Sequence, residues 1–362
     1  MSTNPFLQRS VWFLRAAWRP ALFFFATLLA AKRWNWDSAH LITMPLLAFL
    51  IPALFLARSA AWCRFLDRLA GLWDRHDRHV LPLVCALGLA ASLFACFVIL
   101  NPLPHVADSY SYLFQAKVFA SGKLFAADPG LAAFDIPWTV KHQGRGFSQY
   151  SPGWPLLLAL GVLAHAPALV NPLAGLLSYI VIFLLVQEMA GRRYAKLAVL
   201  FCLLSPFYLF LSASFMSHTS FLLFSSLSAF CFVRGMMRSS YRWTALAGFP
   251  AGFALLIRPA DGLVMWLAMS AYFLFKKRRR SIGPIASTLV GVGTGVLVLL
   301  VYNRLLVGQW FVSPFSMMGS VNQYGFGPGI GDPEWGDNFD APGHTPWRSL
   351  LNLNLNLALK PA

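Results

Sequence analysis

Apolar stretches recur from the N-terminus to about Tyr302, and short clusters of Lys and Arg separate them. That repetition constrains the fold more than any other feature. Inside a bilayer every backbone N–H and C=O must find its partner within the protein, so long apolar runs of this kind are read as membrane helices. Charged residues make up 12% of the 362-residue chain, against roughly a quarter in a soluble domain. Nine candidate spans follow, at 11–31, 41–57, 80–100, 170–189, 197–213, 219–233, 244–257, 263–275 and 282–302. Several are shorter than the ~20 residues of a perpendicular crossing, so their ends are expected to run on into flanking polar residues. Arg15 and Arg19, inside the first run, are expected to snorkel toward the nearer surface.

A formal net charge of +16 raises the question of nucleic acid, but its distribution argues for a membrane. Nineteen of the 29 Lys and Arg fall in five groups: Arg9 to Arg19, Arg58 to Arg78, Arg192 to Lys196, Arg234 to Arg242 and Lys276 to Arg280. Placing all five groups in the cytoplasm lets nine crossings alternate through to Tyr302, as the positive-inside bias requires, with Lys32 and Arg33 left outside. The stretch 155–189 is too long for the one crossing allowed to it. We read 155–165 as a helix on, or dipping into, the outer face, with Ala166-Pro167 and Asn171-Pro172 interrupting the run before a true span. The five Cys (Cys63, Cys85, Cys96, Cys202, Cys231) have no paired spacing and read as small apolar residues.

The expected fold is an all-α, polytopic transmembrane helical bundle of about nine spans plus a partial outer-face helix, with a long first non-cytoplasmic loop at 101–154. Three regions result: a two-span extension with a basic cytoplasmic loop (1–79), a transmembrane core (80–302) and an irregular non-cytoplasmic segment (303–362). The loop 101–154 is too long for a connector and too aromatic for disorder. From Ser109 it reads as a short amphipathic helix with Tyr112, Gln115, Ala116 and Phe119 on one face and Asp108 at its N-cap. Asp108 is therefore either a helix cap or a carboxylate at the membrane surface able to act as a base.

The run Phe147 to Pro155 holds Tyr150 and Trp154 around a rigid Pro-Gly turn where the chain re-enters the bilayer. Ser217-His218-Thr219 sits at an outer turn. Arg258 lies at the outer end of a span, against the bias, and is either functional or a turn-capping partner of Asp261. Two GxxxG spacings, Gly248–Gly252 and Gly291–Gly295, read as close helix contacts. They are not phosphate loops, because no GK[ST] follows. Asp332, Glu334, Asp337 and Asp340 form an acidic external stretch that matches no metal-binding loop, and no metal ligand is assigned.

The order of these features resembles the GT-C superfamily of membrane glycosyltransferases, in the branch of protein mannosyltransferases, aminoarabinose transferases and rhizobial galacturonosyltransferase-like proteins. The motifs that carry it, over about 80–320, are Asp108 to Gly122, Tyr150-Ser-Pro-Gly-Trp-Pro155, Asn171-Pro-Leu173, Ser205-Pro-Phe207, Met216-Ser-His218 and Arg258-Pro259. The resemblance implies inverting transfer of a hexose or pentose from a polyprenyl-phosphate-linked donor to a lipid, glycan or protein acceptor, with no cofactor. It implies a multi-pass protein of the bacterial inner membrane whose active face looks toward the periplasm or exterior. Asp108 matches the catalytic carboxylate of the family. Arg258, His218, Lys117, Lys123 and Tyr150 are the candidates for the donor phosphate or substrate. Many members carry a second acidic residue where this chain has Ser109, and Asp128 or Asp135 is the candidate replacement. Two spans precede the family-like part, and 349–359 reads as the start of another, which suggests that further spans are missing. A transporter or lipid flippase, or an inactive relative, is the alternative. Transporters place polar groups at midspan or in inverted repeats, and neither pattern is visible here.

Overall fold

A computed structural model describes residues 77–128, 136–277 and 281–318. The proposed spans 11–31 and 41–57, Asp135 and the acidic stretch around Asp337 lie outside the described residues. Within Trp73–Tyr324, one compact unit, ten α-helices run in the order α1 (Asp77–Phe94), α2 (Ala107–Ala120), α3 (Gly153–Leu163), α4 (Val170–Ala190), α5 (Arg192–Leu204), α6 (Pro206–Ala213), α7 (His218–Arg238), α8 (Tyr241–Ile257), α9 (Pro259–Lys277) and α10 (Ile282–Val307). A π-turn, Ala95–Ile99, extends α1.

Four helical segments are long and apolar enough to cross a membrane: Arg78–Ile99, Pro167–Ala190, His218–Arg238 and Ile282–Val307. The candidate at 197–213 is not one straight helix. It is α5 and α6, bent by 67° at Ser205-Pro206, a broken span or a re-entrant turn. Proline disfavours the helical conformation in the residue before it, and Ser205 is extended (φ −82°, ψ 110°). Its hydroxyl then accepts a hydrogen bond from the Tyr208 backbone N–H (3.3 Å) and starts the second helix. The candidates at 244–257 and 263–275 are helical, as α8 and α9, but do not meet the same length and composition. The described residues thus contain four or five such spans.

The helix expected at 155–165 is present, but only one of the two expected interruptions is. Residues 153–163 form the short apolar helix α3, and the chain breaks at Ala166-Pro167. Asn171-Pro172 interrupts nothing: both lie in the first turn of α4, where a proline costs no hydrogen bond.

The description all-α also needs correcting. The first long loop carries a three-stranded antiparallel sheet in the order β1-β3-β2, with β1 at Ala126–Ala127, β2 at Thr139–His142 and β3 at Arg145–Ser148. Gln143 (φ 51°) and Gly144 (φ 72°) form the two-residue turn of the β2–β3 hairpin. Positive φ at both turn residues matches the right-handed twist of the strands. Val140 and Phe147 from the sheet pack with Tyr302 and Leu306 of α10. Gln115 of α2 locks helix to sheet, its amide donating to the Leu124 carbonyl (2.9 Å) and its carbonyl accepting from the Ser148 N–H (2.9 Å).

Helices α8 and α10 pack tightly along their two GxxxG motifs. A methyl group added at Gly252 would overlap the Gly291 carbonyl, and one at Gly295 would overlap the Gly252 carbonyl. The glycines therefore bring the backbones into direct contact, as their spacing predicts.

Candidate functional site

The motifs of the sequence converge at one end of the helices. Asp108 lies in the first turn of α2, behind Val106 at the cap position, so it is not the N-cap. It is half-buried and faces the Tyr150 hydroxyl. Burial first, and then the Asp108 charge, hold that hydroxyl well above the usual phenol range. The Tyr150 and Tyr112 rings lie 4.5 Å apart between centroids, and the Tyr112 hydroxyl reaches the Ser217 hydroxyl at 3.2 Å. Next to Ser217, His218 opens α7 and lies in the field of Arg258, Asp108 and Asp261. Its Nδ1 is buried without a protein partner. Arg258 follows the last residue of α8 in an extended conformation and is ion-paired with Asp261 at the start of α9. The turn-capping pair expected from the sequence is therefore present, and it lies beside His218.

Three motifs support the backbone of 214–218. Asn171 is 2% exposed, and its amide nitrogen is within reach of the carbonyls of Ser214 (2.5 Å), Met216 (2.7 Å) and Leu211 (3.3 Å). The Trp154 indole N–H donates to the Phe215 carbonyl at 2.8 Å. From the other side the Ser109 hydroxyl contacts the Met216 sulfur at 3.3 Å. Gly153 allows α3 to touch the chain just before Arg258: an added Cβ would sit 2.6 Å from the Ile257 nitrogen. Trp154→Phe removes one buried hydrogen bond and leaves the Phe215 carbonyl unpaired. It is expected to destabilise the protein by about 1–3 kcal/mol, read as a lower unfolding midpoint in detergent.

The same end gathers four helix N-termini, those of α2, α3, α7 and α9, at Ala107, Gly153, His218 and Pro259. Unpaired N–H groups and aligned peptide dipoles make such ends favourable for anions. The place thus combines one carboxylate, phenols, an imidazole, a guanidinium and a field that suits negative charge.

Burial pushes the Tyr112 hydroxyl up to about 12 from 10.0, opposed by its bond to Ser217 and reinforced by Asp108. The folded protein thus holds this proton more tightly than the unfolded chain. Stability from this group is complete below pH 10 and is lost as pH rises from 10 to about 12. Tyr112→Phe is expected to lower stability at neutral pH by about 1–3 kcal/mol, through loss of the buried bond to Ser217, and to flatten the alkaline unfolding profile in that window.

The remaining candidates sit elsewhere. Lys117 is exposed on α2, roughly 13 Å along the helix from Asp108, and Lys123 lies beyond the end of that helix, exposed. Asp128 belongs to the sheet region and pairs with Lys141 at 3.6 Å. Sequence reading treated Asp261 only as a possible cap for Arg258 and did not join Tyr112 to the site. The contacts responsible link residues more than a hundred positions apart, which no local pattern reports.

Fold and site together describe an integral membrane protein, mostly helical, with a polar site at the mouth of its helices. Residues 155–303 match the model of the dolichyl-phosphate-mannose-protein mannosyltransferase family, and that match supports a membrane glycosyltransferase of the GT-C superfamily, in agreement with the motif order. The matched region contains His218 and Arg258 and begins beyond Asp108 and Tyr150. No curated protein and no solved structure matches the chain.

Proposed function

We propose that the protein is an inverting glycosyltransferase that moves a sugar from a polyprenyl-phosphate-linked donor to a lipid, glycan or protein acceptor. The observation that carries this reading is the meeting of Asp108 and Tyr150 with His218 and Arg258 where four helix N-termini converge. The family match favours the same chemistry. The acceptor hydroxyl attacks the anomeric carbon from the face opposite the phosphate. As the new C–O bond forms, the bond from that carbon to the phosphate oxygen breaks, and the electron pair leaves with the phosphate. The hydroxyl proton passes to the Asp108 carboxylate, the general base.

The departing lipid phosphate needs stabilisation of its charge rather than a proton. Arg258 supplies a planar fork of donors for it, at the cost of its pairing with Asp261. His218 and the nearby backbone N–H groups add neutral donors. Tyr150 orients the carboxylate. The distribution of the 19 basic residues favours a non-cytoplasmic position for this end, and the family resemblance favours a bacterial inner membrane.

The test uses the full chain in vesicles with a radiolabelled polyprenyl-phosphate sugar and extracted envelope material as acceptor. The expected result is label moving into the acceptor only in the presence of the protein. Uptake of a solute into the vesicles with no lipid-linked sugar present, and no transfer, would instead establish the transporter reading.

A further inference from the structure

Away from the polar site, a groove of about 350 Å³ runs between the end of α2, the start of α3 and the last turns of α10. Phe119, Leu156, Val298 and Val301 form its walls, and Lys123 is the one charged residue among those lining it. Leu156, Val298, Val301 and Leu305 are all exposed along it. Its long wall belongs to Ile282–Val307, a helix of membrane-crossing length, so the groove opens sideways toward lipid chains. Tyr302 lines the same groove, is 5% exposed, and its hydroxyl has no acceptor among the described residues.

We infer that this groove holds one anionic phospholipid of the surrounding bilayer, with its hydrocarbon chain along α10 and its phosphate at Lys123. The chemistry is complementary at both ends. The apolar wall suits an acyl chain, and a snorkelling ammonium at the polar edge suits a phosphate. A sugar donor reacting beside Asp108 has its own phosphate there, in the first turn of α2, whereas Phe119 of the groove lies in the last turn of that helix, roughly 16 Å along it at ~1.5 Å per residue. Pro152 borders both places, but the charged end of the groove is apart from the reaction centre proposed above, and its occupancy does not depend on that chemistry.

Native mass spectrometry of the full chain in detergent, with phosphatidylglycerol or phosphatidylcholine added, tests this. One phosphatidylglycerol is expected to be retained per chain, with phosphatidylcholine held about tenfold more weakly, the scale of one charge-assisted hydrogen bond. Lys123→Gln is expected to erase that preference, whereas Arg242→Gln, at the other end of the helices, keeps it. Val301→Trp is expected to displace the lipid by filling the groove. Lys123→Gln, an exposed change, keeps the test decisive should Val301→Trp fail to fold. Equal retention of the two lipids by the unaltered chain, or a preference untouched by Lys123→Gln, overturns the inference. So does displacement of phosphatidylglycerol by equimolar long-chain polyprenyl phosphate, which assigns the groove to a substrate lipid.

Discussion

Asp108→Asn is expected to lower sugar transfer by about 10²–10⁴-fold, the usual contribution of a positioned general base. Asparagine keeps the shape of the side chain in the first turn of α2, so the helix and its contacts with the sheet and α3 are expected to persist. What is lost is the group that accepts the proton and the charge that faces Tyr150. Initial rates at saturating donor, normalised to inserted protein, measure it. A fall in kcat with little change in donor KM identifies a transition-state role. An unchanged rate would show that the base lies elsewhere. Arg258→Ala is the useful contrast: it removes the cationic fork and is expected to raise donor KM as well as lower kcat.

The second large effect concerns the scaffold. Gly252→Leu pushes a branched side chain into the Gly291 carbonyl and the Gly295 backbone, where even one methyl group overlaps. Separating α8 from α10 shifts the helix that ends at Arg258. The substitution is expected to cost at least the ~1–3 kcal/mol of ordinary overpacking, because backbone atoms give way less readily than side chains. The measurement is the thermal midpoint in detergent. Gly293→Leu is the control on the facing helix, α10: nothing lies within 4 Å of an added Cβ there. It is expected to leave the midpoint unchanged or raise it slightly, since leucine favours helix over glycine. Equal effects of the two substitutions would contradict the proposed packing.

The legible parts of this protein were those carried by periodicity and punctuation. Long apolar runs gave α1, α4, α7 and α10, and the glycine spacing gave the α8–α10 contact. Ser205-Pro206 was visible as a motif, but not as a bend, because proline fixes a local dihedral while neighbouring packing decides how far the axis turns. The sheet escaped notice because its strands have two to four residues, too few for alternation to register. Asp108, His218 and Arg258 were placed at one end by counting charges, and the structure brings all three into one electrostatic neighbourhood. Their supports were hidden. Asn171 read as part of an interruption of the apolar run and Trp154 as part of an aromatic belt, yet each spends its polar atom on the 214–216 backbone. Such contacts join positions 40 or more apart, and only tertiary packing specifies them.

The central claim is that this polar end transfers a sugar, and the direct measurement is comparative mass spectrometry of envelope glycolipids and glycoproteins. Three otherwise identical strains are compared: with the chain, without it, and with Asp108→Asn. The account predicts that one hexose or pentose present in the first is missing from the other two, with the Asp108→Asn protein still in the membrane. Identical glycan profiles in all three would contradict it.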